Sequence, residues 1–451
     1  MNTLAQLRSG QLHGLQRLDL ACDLTEFPLE IYQLADTLEV LNLSGNALTN
    51  LPPDFSRLHQ LRVLFCSENR FTHVPEVLGE CPRLSMIGFK ANQIIELPPA
   101  ALTPALRWLI LTDNALRSLP AELGDCRQMQ KLMLSGNQLQ QLPEQLANCS
   151  ALELLRIASN RFSTLPDWLL RLPKLAWLAY ADNPVCDVAE AIVLQREAGQ
   201  FKQIDWDSLS LHQELGQGAS GVIHQATWRQ QNSQTNSDPA LEQQVAVKLF
   251  KSAVTSDGLP ECEMAACMSA GSHPNLIAVA GQVAGHPERS AGLVMQLIDP
   301  SYQNLAGPPS LASCTRDVYA SDTQFTLETA LRIATGIAAA VSHLHARGIL
   351  HGDLYGHNIL RNPQGDSLLG DFGAASFFAL DEVVNAQALQ RLEVRAFACL
   401  LEELIDRCVH GPTQQDCLLS LRTLQARCAL EDCGQRPLFA EIALTLSDLR
   451  A

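Results

Sequence analysis

The sequence is short of aromatic residues and of positive charge, and it has no long apolar run. Phe, Trp and Tyr make up 5% of its 451 residues, and 32 Lys and Arg face 48 Asp and Glu, for a net charge of −16. That deficit excludes a general nucleic-acid binder, whose affinity needs a basic footprint against phosphates. The most apolar stretch, Leu331 to Leu344, is broken by Arg332 and His343. It is also shorter than the roughly 20 residues a spanning helix requires, so no membrane span is expected. The first residues, MNTLAQLRSGQLHG, hold no apolar core segment, and no signal peptide is expected. The 14 cysteines form no CxxC pair. Without a secretion signal they read as reduced thiols, which suits a cytoplasmic location. Hydrophobic residues at 47% exclude a disordered chain. At roughly 100–200 residues per domain, the length fits two to four domains.

What is present in the first half is a period. Lines starting at Leu15, Leu38, Leu61, Leu84, Leu106, Met129, Leu152 and Leu175 superimpose at steps of 23 residues, with one step of 22. The apolar positions of one such unit cannot bury themselves, so stacking must supply the core. Eight positions after each start stand Asp23, Asn46, Asn69, Asn92, Asn114, Asn137, Asn160 and Asn183. A stacked side-chain amide can bond the backbone at the turn of the neighbouring coil. Asp23, in the first coil, departs from that ladder. Cys81, Cys126 and Cys149 recur at one repeat position and read as small buried residues. The pattern resembles the leucine-rich repeat family in its LPxxL form, over about residues 15–183.

Side chains alternate along a strand, so the second and fourth positions after each start point outward together. They include Val63, Phe65, Met86, Trp108, Ile110, Met133, Leu154 and Trp177. An exposed apolar strip of this kind suits a protein partner, or is covered by another part of the same chain. The run VAEAIVLQREA (Val188–Ala198) has helical spacing and is expected to close the solenoid. The expected division is a solenoid over residues 1–199, a connector over 200–211 and a second domain over 212–451.

The second half carries groups suited to phosphoryl transfer. LGQGASGVIHQATW places Gly216, Gly218, Gly221 and Val222 in a GxGxxGxV pattern. Glycines let backbone N–H groups approach phosphate oxygens. VIHQATW alternates as a strand does, where a dinucleotide fold would need a helix, and no GK[ST] of a P-loop follows. A polar stretch that reads as a hairpin leads to VAVKLFK. Its Lys248 is one of only two lysines in residues 207–451, the other being Lys251. A lysine placed for α- and β-phosphates needs a carboxylate to hold it. ECEMAACMSAGSHPNLI offers Glu261 and Glu263 on a helix, and the distance to HPNL favours Glu263. In ILHGDLYGHNIL, Asp353 and Asn358 lie five residues apart after a helical run, and Asp371 heads a DFG turn 18 residues beyond Asp353. A carboxylate to take a hydroxyl proton, with an amide and a second carboxylate to hold Mg²⁺, is what transfer from a nucleoside triphosphate requires.

On these motifs, residues from about 207 resemble a eukaryotic-type protein kinase domain. The whole then resembles the leucine-rich-repeat kinases of bacterial type, a multidomain chain. An α/β leucine-rich-repeat solenoid would be followed by a bilobal α+β kinase-like domain. The resemblance implies ATP and Mg²⁺ as cofactors and a protein substrate. Gly216, Gly218, Gly221 and Val222 would roof the phosphates, and Lys248 would pair with Glu263. Asp353 would act as base, with Asn358 and Asp371 as metal ligands. Ala246 and Leu360 would sandwich adenine, Met295 would be the gatekeeper, and Gln296–Ile298 the hinge. His351 and Phe372 would be packing elements. EVRAFACLLEEL, from Glu393, resembles the central helix of the larger lobe, with Glu in place of Asp.

Three departures stand out. Gly352 replaces the arginine of HRD, which makes the domain non-RD and speaks against control by loop phosphorylation. Tyr355 replaces the lysine common in serine/threonine kinases. Only 22 residues separate Asp371 from Glu393, with no APE, so the activation segment is short. Residues 301–324, rich in Gly, Pro and Ser, read as a surface loop. The leading expectation is an ATP-dependent protein kinase, serine/threonine type, with a repeat domain that recruits partners. Two other readings are a nucleotide-binding pseudokinase scaffold and a small-molecule phosphotransferase, since HGDLYGHN also resembles the HGDxxxxN loop of aminoglycoside-type kinases.

Overall fold

The chain was analysed as a computed structural model, which describes residues 2–197, 202–218, 220–230, 241–251, 255 and 257–450. It divides into two compact units. The first comprises residues 1–175 and 183–185, and the second residues 176–182 and 186–451. The division therefore falls inside the eighth repeat and not at the expected residue 199, and residues 198–201 lie outside the described ones.

In the first unit each repeat contributes one three-residue strand: β1 (Arg17–Asp19), β2 (Val40–Asn42), β3 (Val63–Phe65), β4 (Met86–Gly88), β5 (Trp108–Ile110), β6 (Lys131–Met133) and β7 (Leu154–Arg156). The strands pair in parallel with equivalent positions abreast, for example Val63 with Met86 and Met86 with Trp108. Short 3₁₀ turns such as Glu76–Glu80 and Glu144–Asn148 return the chain on the other side. The first, fourth and sixth residues of each coil fill the interior. Leu61, Leu64 and Cys66 are completely buried, as are Leu106 and Leu111, with Leu109 nearly so. A solvent-facing chain could not present three apolar residues in six, and stacking removes them from water.

The asparagine ladder has the bonds its spacing implies. Asn137 Oδ1 accepts from Leu116 N at 3.0 Å, and its Nδ2 donates to Leu111 O at 2.9 Å. Asn69, Asn92, Asn114, Asn160 and Asn183 repeat this pair of bonds one coil further back or on. Asp23 has a positive φ of 55°. Cys81, Cys126 and Cys149 are buried, and burial pushes their thiols up to about 11, 12 and 11. They are small core residues held as thiols, the form that does not ligate metal.

The outward apolar strip is not exposed. Val63, Met86, Met133, Leu154 and Trp177 are all buried, and Phe65, Trp108 and Ile110 are half-buried. Parallel strands bring equal positions about 4.8 Å apart, so large side chains cover one another. Phe65 lies edge-on to Trp108 with centroids 6.4 Å apart, Lys131 Nζ sits 4.4 Å over the Trp108 ring, and the Phe65 ring occupies the space a Cβ on Gly88 would take.

The second unit begins with β8 (Trp177–Ala179), which continues the repeat sequence, and a helix, α2 (Asp187–Glu197), close to the expected Val188–Ala198. The helices that precede and follow it are α1 (Leu4–Arg8), in the first unit, and α3 (Pro260–Ser269). A six-stranded sheet follows: β9 (Gln203–Asp205), β10 (Leu209–Gln217), β11 (Gly221–Gln230), β12 (Leu241–Phe250), β13 (Val279–Ala284) and β14 (Gly292–Gln296), in the order β10-β11-β12-β14-β13-β9. The expected connector is thus part of the sheet. β9 pairs in parallel with β13, and Ile204 and Leu209 join Ala226, Trp228, Val245, Val247 and Val294 in its core. Val245 and Val247, two residues apart, share that core face, as the two-residue period of a strand requires. The expected hairpin between β11 and β12 falls on residues 231–240, outside the described ones.

The larger part of this unit is built on α4 (Leu327–Ala346), capped by the Thr326 hydroxyl accepting from Thr329 N at 3.1 Å, and on α5 (Val383–Asp406). α5 starts ten residues before Glu393, so half of the expected activation segment is helix. The 301–324 stretch is not a surface loop throughout. Cys314 and Thr315 are fully buried, Asp317 is buried, and Arg316 bonds both Glu402 and Glu403 on α5.

Candidate active site

Three elements of the sheet meet the loops that follow α4. Lys248 on β12 forms an ion pair with Glu263 on α3, the glutamate favoured by its spacing, whereas Glu261 is exposed. Pro260 at the first turn and two acidic residues beside it suit the helix start. Burial works against the Lys248 charge, yet Glu263 and Asp371 outweigh it and raise the ammonium above its ordinary value. Lys248 is therefore a cation held in a pocket of low exposure.

The glycine loop lies over this pair. A Cβ on Gly221 would meet Leu249 O at 2.5 Å and Lys248 Cε at 3.4 Å, so only glycine fits there. A Cβ on Gly216 or Gly218 would meet nothing within 4 Å. The second lysine, Lys251, donates to Gly218 O at 3.0 Å and ties the loop to β12. Sequence reasoning counted Lys251 and gave it no role; its three-residue spacing from Lys248 was the available signal. Val222 pairs with Leu249 and Ala246 with Met295, while Gln296 pairs with Val245. Gln296 and Ile298 also line a surface cavity with His273, Pro274 and Leu368. Leu360 lies half-buried on the strand β18 (Ile359–Arg361), beyond β15 (Gln303–Asn304), β16 (Phe325–Thr326) and β17 (Ile349–Leu350). Asn275 of HPNL anchors the neighbouring β19 (Ser367–Leu369) by donating to Ser367 O and accepting from Leu369 N, both at 2.9 Å.

The 351–358 loop is held along its length. Asn358 Nδ2 donates to Asp353 O at 2.9 Å and to Asp353 Oδ2 at 2.7 Å, joining the two residues the motif singled out. His351 Nε2 lies 2.9 Å from Gly370 O, and its ring lies 5.1 Å from Phe372. Glu393 is almost fully buried; it accepts from Gly352 N at 2.8 Å and lies 2.7 Å from His345 Nε2. Burial works to raise its carboxyl, but His345, His351 and the Gly352 amide outweigh that and lower it. The aspartate usual at this position in the resembled family is thus replaced by a residue that still reaches the loop.

Asp371 has a positive φ of 55° and accepts from Gly373 N at 3.2 Å. Non-glycine residues take that conformation at a cost of about 1–3 kcal/mol, and such strain gathers at functional sites. Asp371 acts electrostatically on Lys248, Glu263 and His357, and Asp353 acts on His357 as well. Asp371 thus lies near enough to act on the Lys248–Glu263 pair, and Asp371 and Asp353, which Asn358 binds, both act on His357. Asp317, missed by sequence reasoning, accepts from His357 N at 3.0 Å and lies 2.7 Å from His357 Nδ1. Burial works to lower His357, but Asp317, Asp353 and Asp371 prevail and raise it. No short motif marks a partner 40 residues away.

The family model described as "Protein tyrosine and serine/threonine kinase" matches residues 209–403, and that described as "Leucine rich repeat" matches residues 36–94. The chain joins leucine-rich repeats to a protein kinase domain. Over 210 residues, 44% of the chain, it is 29% identical to a probable LRR receptor-like serine/threonine-protein kinase of Arabidopsis thaliana, covering 30% of that protein. Over 114 residues, 24% of the chain, it is 32% identical to "Probable inactive serine/threonine-protein kinase roco10" of Dictyostelium discoideum, covering 4% of it. An "Activated Cdc42 kinase-like" protein of Drosophila melanogaster is 24% identical over 288 residues, 54% of this chain and 20% of that one. The chain thus spans less than a third of the length of each of these relatives. In the kinase domain, as elsewhere among the described residues, no helix is long and apolar enough to cross a membrane.

Proposed function

We propose that the kinase domain transfers the γ-phosphoryl group of ATP, with Mg²⁺, to a serine or threonine hydroxyl of a protein. The observation that carries this is the buried Lys248–Glu263 pair with Asp371 acting on both. Lys248 would hold the α- and β-phosphates. Gly216 and Gly218 leave the open space a phosphate needs, which no protein contact requires of them. The oxygens of Asn358 and Asp371 suit Mg²⁺, a hard cation bound through one or two protein oxygens plus phosphates. When bound, Mg²⁺ neutralises charge on the phosphates. Asp353 would accept the proton of the acceptor hydroxyl as its oxygen bonds to phosphorus and the bond to the ADP oxygen breaks. Ala246, Met295, Gln296, Ile298 and Leu360 would frame the adenine. The repeats would select a protein partner, through Phe65, Trp108 and Ile110 where the strand face keeps some exposure. Among the described residues the cysteines form no disulfide, which suits a cytoplasmic setting.

A pseudokinase scaffold is the second reading, favoured by a relative whose name says inactive. Incubation with labelled ATP and Mg²⁺, followed by mapping of phosphorylated residues, separates the two. Asp353→Asn should reduce transfer about 10³-fold while nucleotide binding stays within a few fold. Wild type that binds nucleotide but transfers no more than Asp353→Asn would establish the scaffold.

A further inference from the structure

The eighth repeat strand has left the solenoid's compact unit and joined the kinase domain's. Trp177 is 1% exposed, and what covers it is the loop that carries Asp353. Its indole Nε1 donates to Leu354 O at 3.1 Å, and its ring stacks on Tyr355, with centroids 4.2 Å apart and planes 6° apart. Leu354 and Tyr355 directly follow Asp353. The Tyr355 ring in turn lies 5.0 Å from His357, the neighbour of Asn358, and Asp317 holds His357 from the far side. A row of three rings, Trp177, Tyr355 and His357, therefore runs along the segment between Asp353 and Asn358.

The same strand reaches the segment after Asp371. Tyr180 N donates to Ser376 Oγ at 3.0 Å, and the Tyr180 hydroxyl donates to Phe377 O at 3.2 Å. Ser376 and Phe377 form β20, which pairs with Leu350 and Ile349 of β17, just ahead of His351. Between these two attachments stands Gly352, with a φ of +74°. A Cβ there would lie 2.4 Å from Ala374 O and 2.7 Å from Leu178 O. The arginine expected at this position has no room, because the carbonyl of Leu178 and that of Ala374 already close around it. Its N–H is held on the other side by Glu393.

We propose that Trp177 and Tyr180 are positioning residues for phosphoryl transfer, and that this strand holds the 351–358 loop and the 374–378 segment in their working arrangement without phosphorylation of the chain. The inference rests on the kinase reading above. It also accounts for Tyr355: where a lysine would reach toward phosphate, a tyrosine serves as the ring on which Trp177 stacks. The alternative that the strand restrains the enzyme predicts the opposite sign for the same substitutions.

The test uses the full chain. Trp177→Phe keeps a ring and removes the N–H donor; Trp177→Leu removes the stack as well. Both are compared with wild type. Misplacement of a reacting group by about 1 Å costs on the order of 10²-fold in rate. Trp177→Leu should lower kcat about 10²-fold and Trp177→Phe about 10-fold, with KM for ATP within twofold in both. Phosphatase-treated wild type should keep its initial rate. A kcat unchanged in both Trp177 variants, a raised kcat in either, or loss of activity on dephosphorylation overturns the proposal. Hydrogen exchange reads positioning without turnover. Amides 351–358 and 374–378 should exchange faster in Trp177→Leu, while β10 to β12 stay as in wild type. Unaltered exchange there overturns the proposal even if the chain transfers no phosphate, whereas absent transfer in wild type with altered exchange counts against the kinase reading alone.

Discussion

The two units solve the same problem, satisfying buried polar groups, in opposite ways. In the solenoid one solution is used again and again. Each ladder asparagine joins its own coil to the one before, and the partners lie 21 and 26 residues back, or within one residue of that. In the kinase domain every solution is used once. Lys248 meets Glu263 across 15 residues, Asp317 meets His357 across 40, and Trp177 meets Leu354 across 177. Repetition spreads the effect of an error along the array, where stability is close to a sum over neighbours. Uniqueness concentrates it, because a lost partner has no equivalent nearby.

The sharpest way to break this comparison is to restore the residue the kinase domain gave up. Gly352→Arg should not recover phosphorylation control. It forces a side chain into a left-handed conformation against two carbonyl oxygens. We expect a loss of about 4 kcal/mol in unfolding free energy, from backbone strain and displaced backbone together, measured by denaturant melts. A stable, phosphorylation-dependent variant would show that the strand does not occupy the arginine's place.

The repeat side should respond less, and according to position. Asn137→Ala leaves Leu116 N without its side-chain partner in a buried turn, while Leu111 O keeps Asn114 Nδ2 at 3.1 Å. At about 1–3 kcal/mol for an unsatisfied buried group, a loss of about 2 kcal/mol is expected. Asp23→Asn, in the first coil, should change stability by less than about 0.5 kcal/mol. Equal effects at the two sites would remove the distinction between the ladder and its end.

The smallest effect is a pH dependence confined to the kinase domain. Asp317, Asp353 and Asp371 raise His357 above its ordinary value of 6.5. A raised histidine contributes its stability in full below that ordinary value, and loses it as pH rises through the raised one. The melting free energy should therefore fall by about 1 kcal/mol above neutrality. Asp317→Asn should flatten that slope, and an equal slope in both proteins would mean that the pair does not titrate as described.

Much of the site was legible before any coordinates. Lys248, Asp353, Asn358 and Asp371 were found because each sits in a short motif whose chemistry demands that residue type. Glu263 was separable from Glu261 by spacing alone. The misreadings share a cause. The outward strip was read as exposed because a strand's alternation says which side a residue points to, not what lies against that side. Residues 200–211 were read as a connector because their apolar residues, Phe201, Ile204, Trp206, Leu209 and Leu211, keep no single two-residue period that would announce a strand. Residues 383–392 were assigned to the shortened activation segment on the family's pattern, whereas they form the start of α5. Asp317 could not have been found, and Trp177 was singled out only as part of the strip, since nothing near either in the chain hints at His357 or Leu354.

By itself, then, the sequence determined the repeat array, its asparagine ladder and the identity of the groups proposed to face phosphate. Period and motif are local properties, and hydrogen-bond chemistry at a fixed spacing needs no further information. Only the tertiary structure decided that the eighth strand belongs with the kinase domain, that Gly352 is glycine for want of space, and that Asp317 steadies His357. Those facts depend on which distant surfaces meet, and that is settled by burial of apolar area over the whole chain, which no window of residues contains.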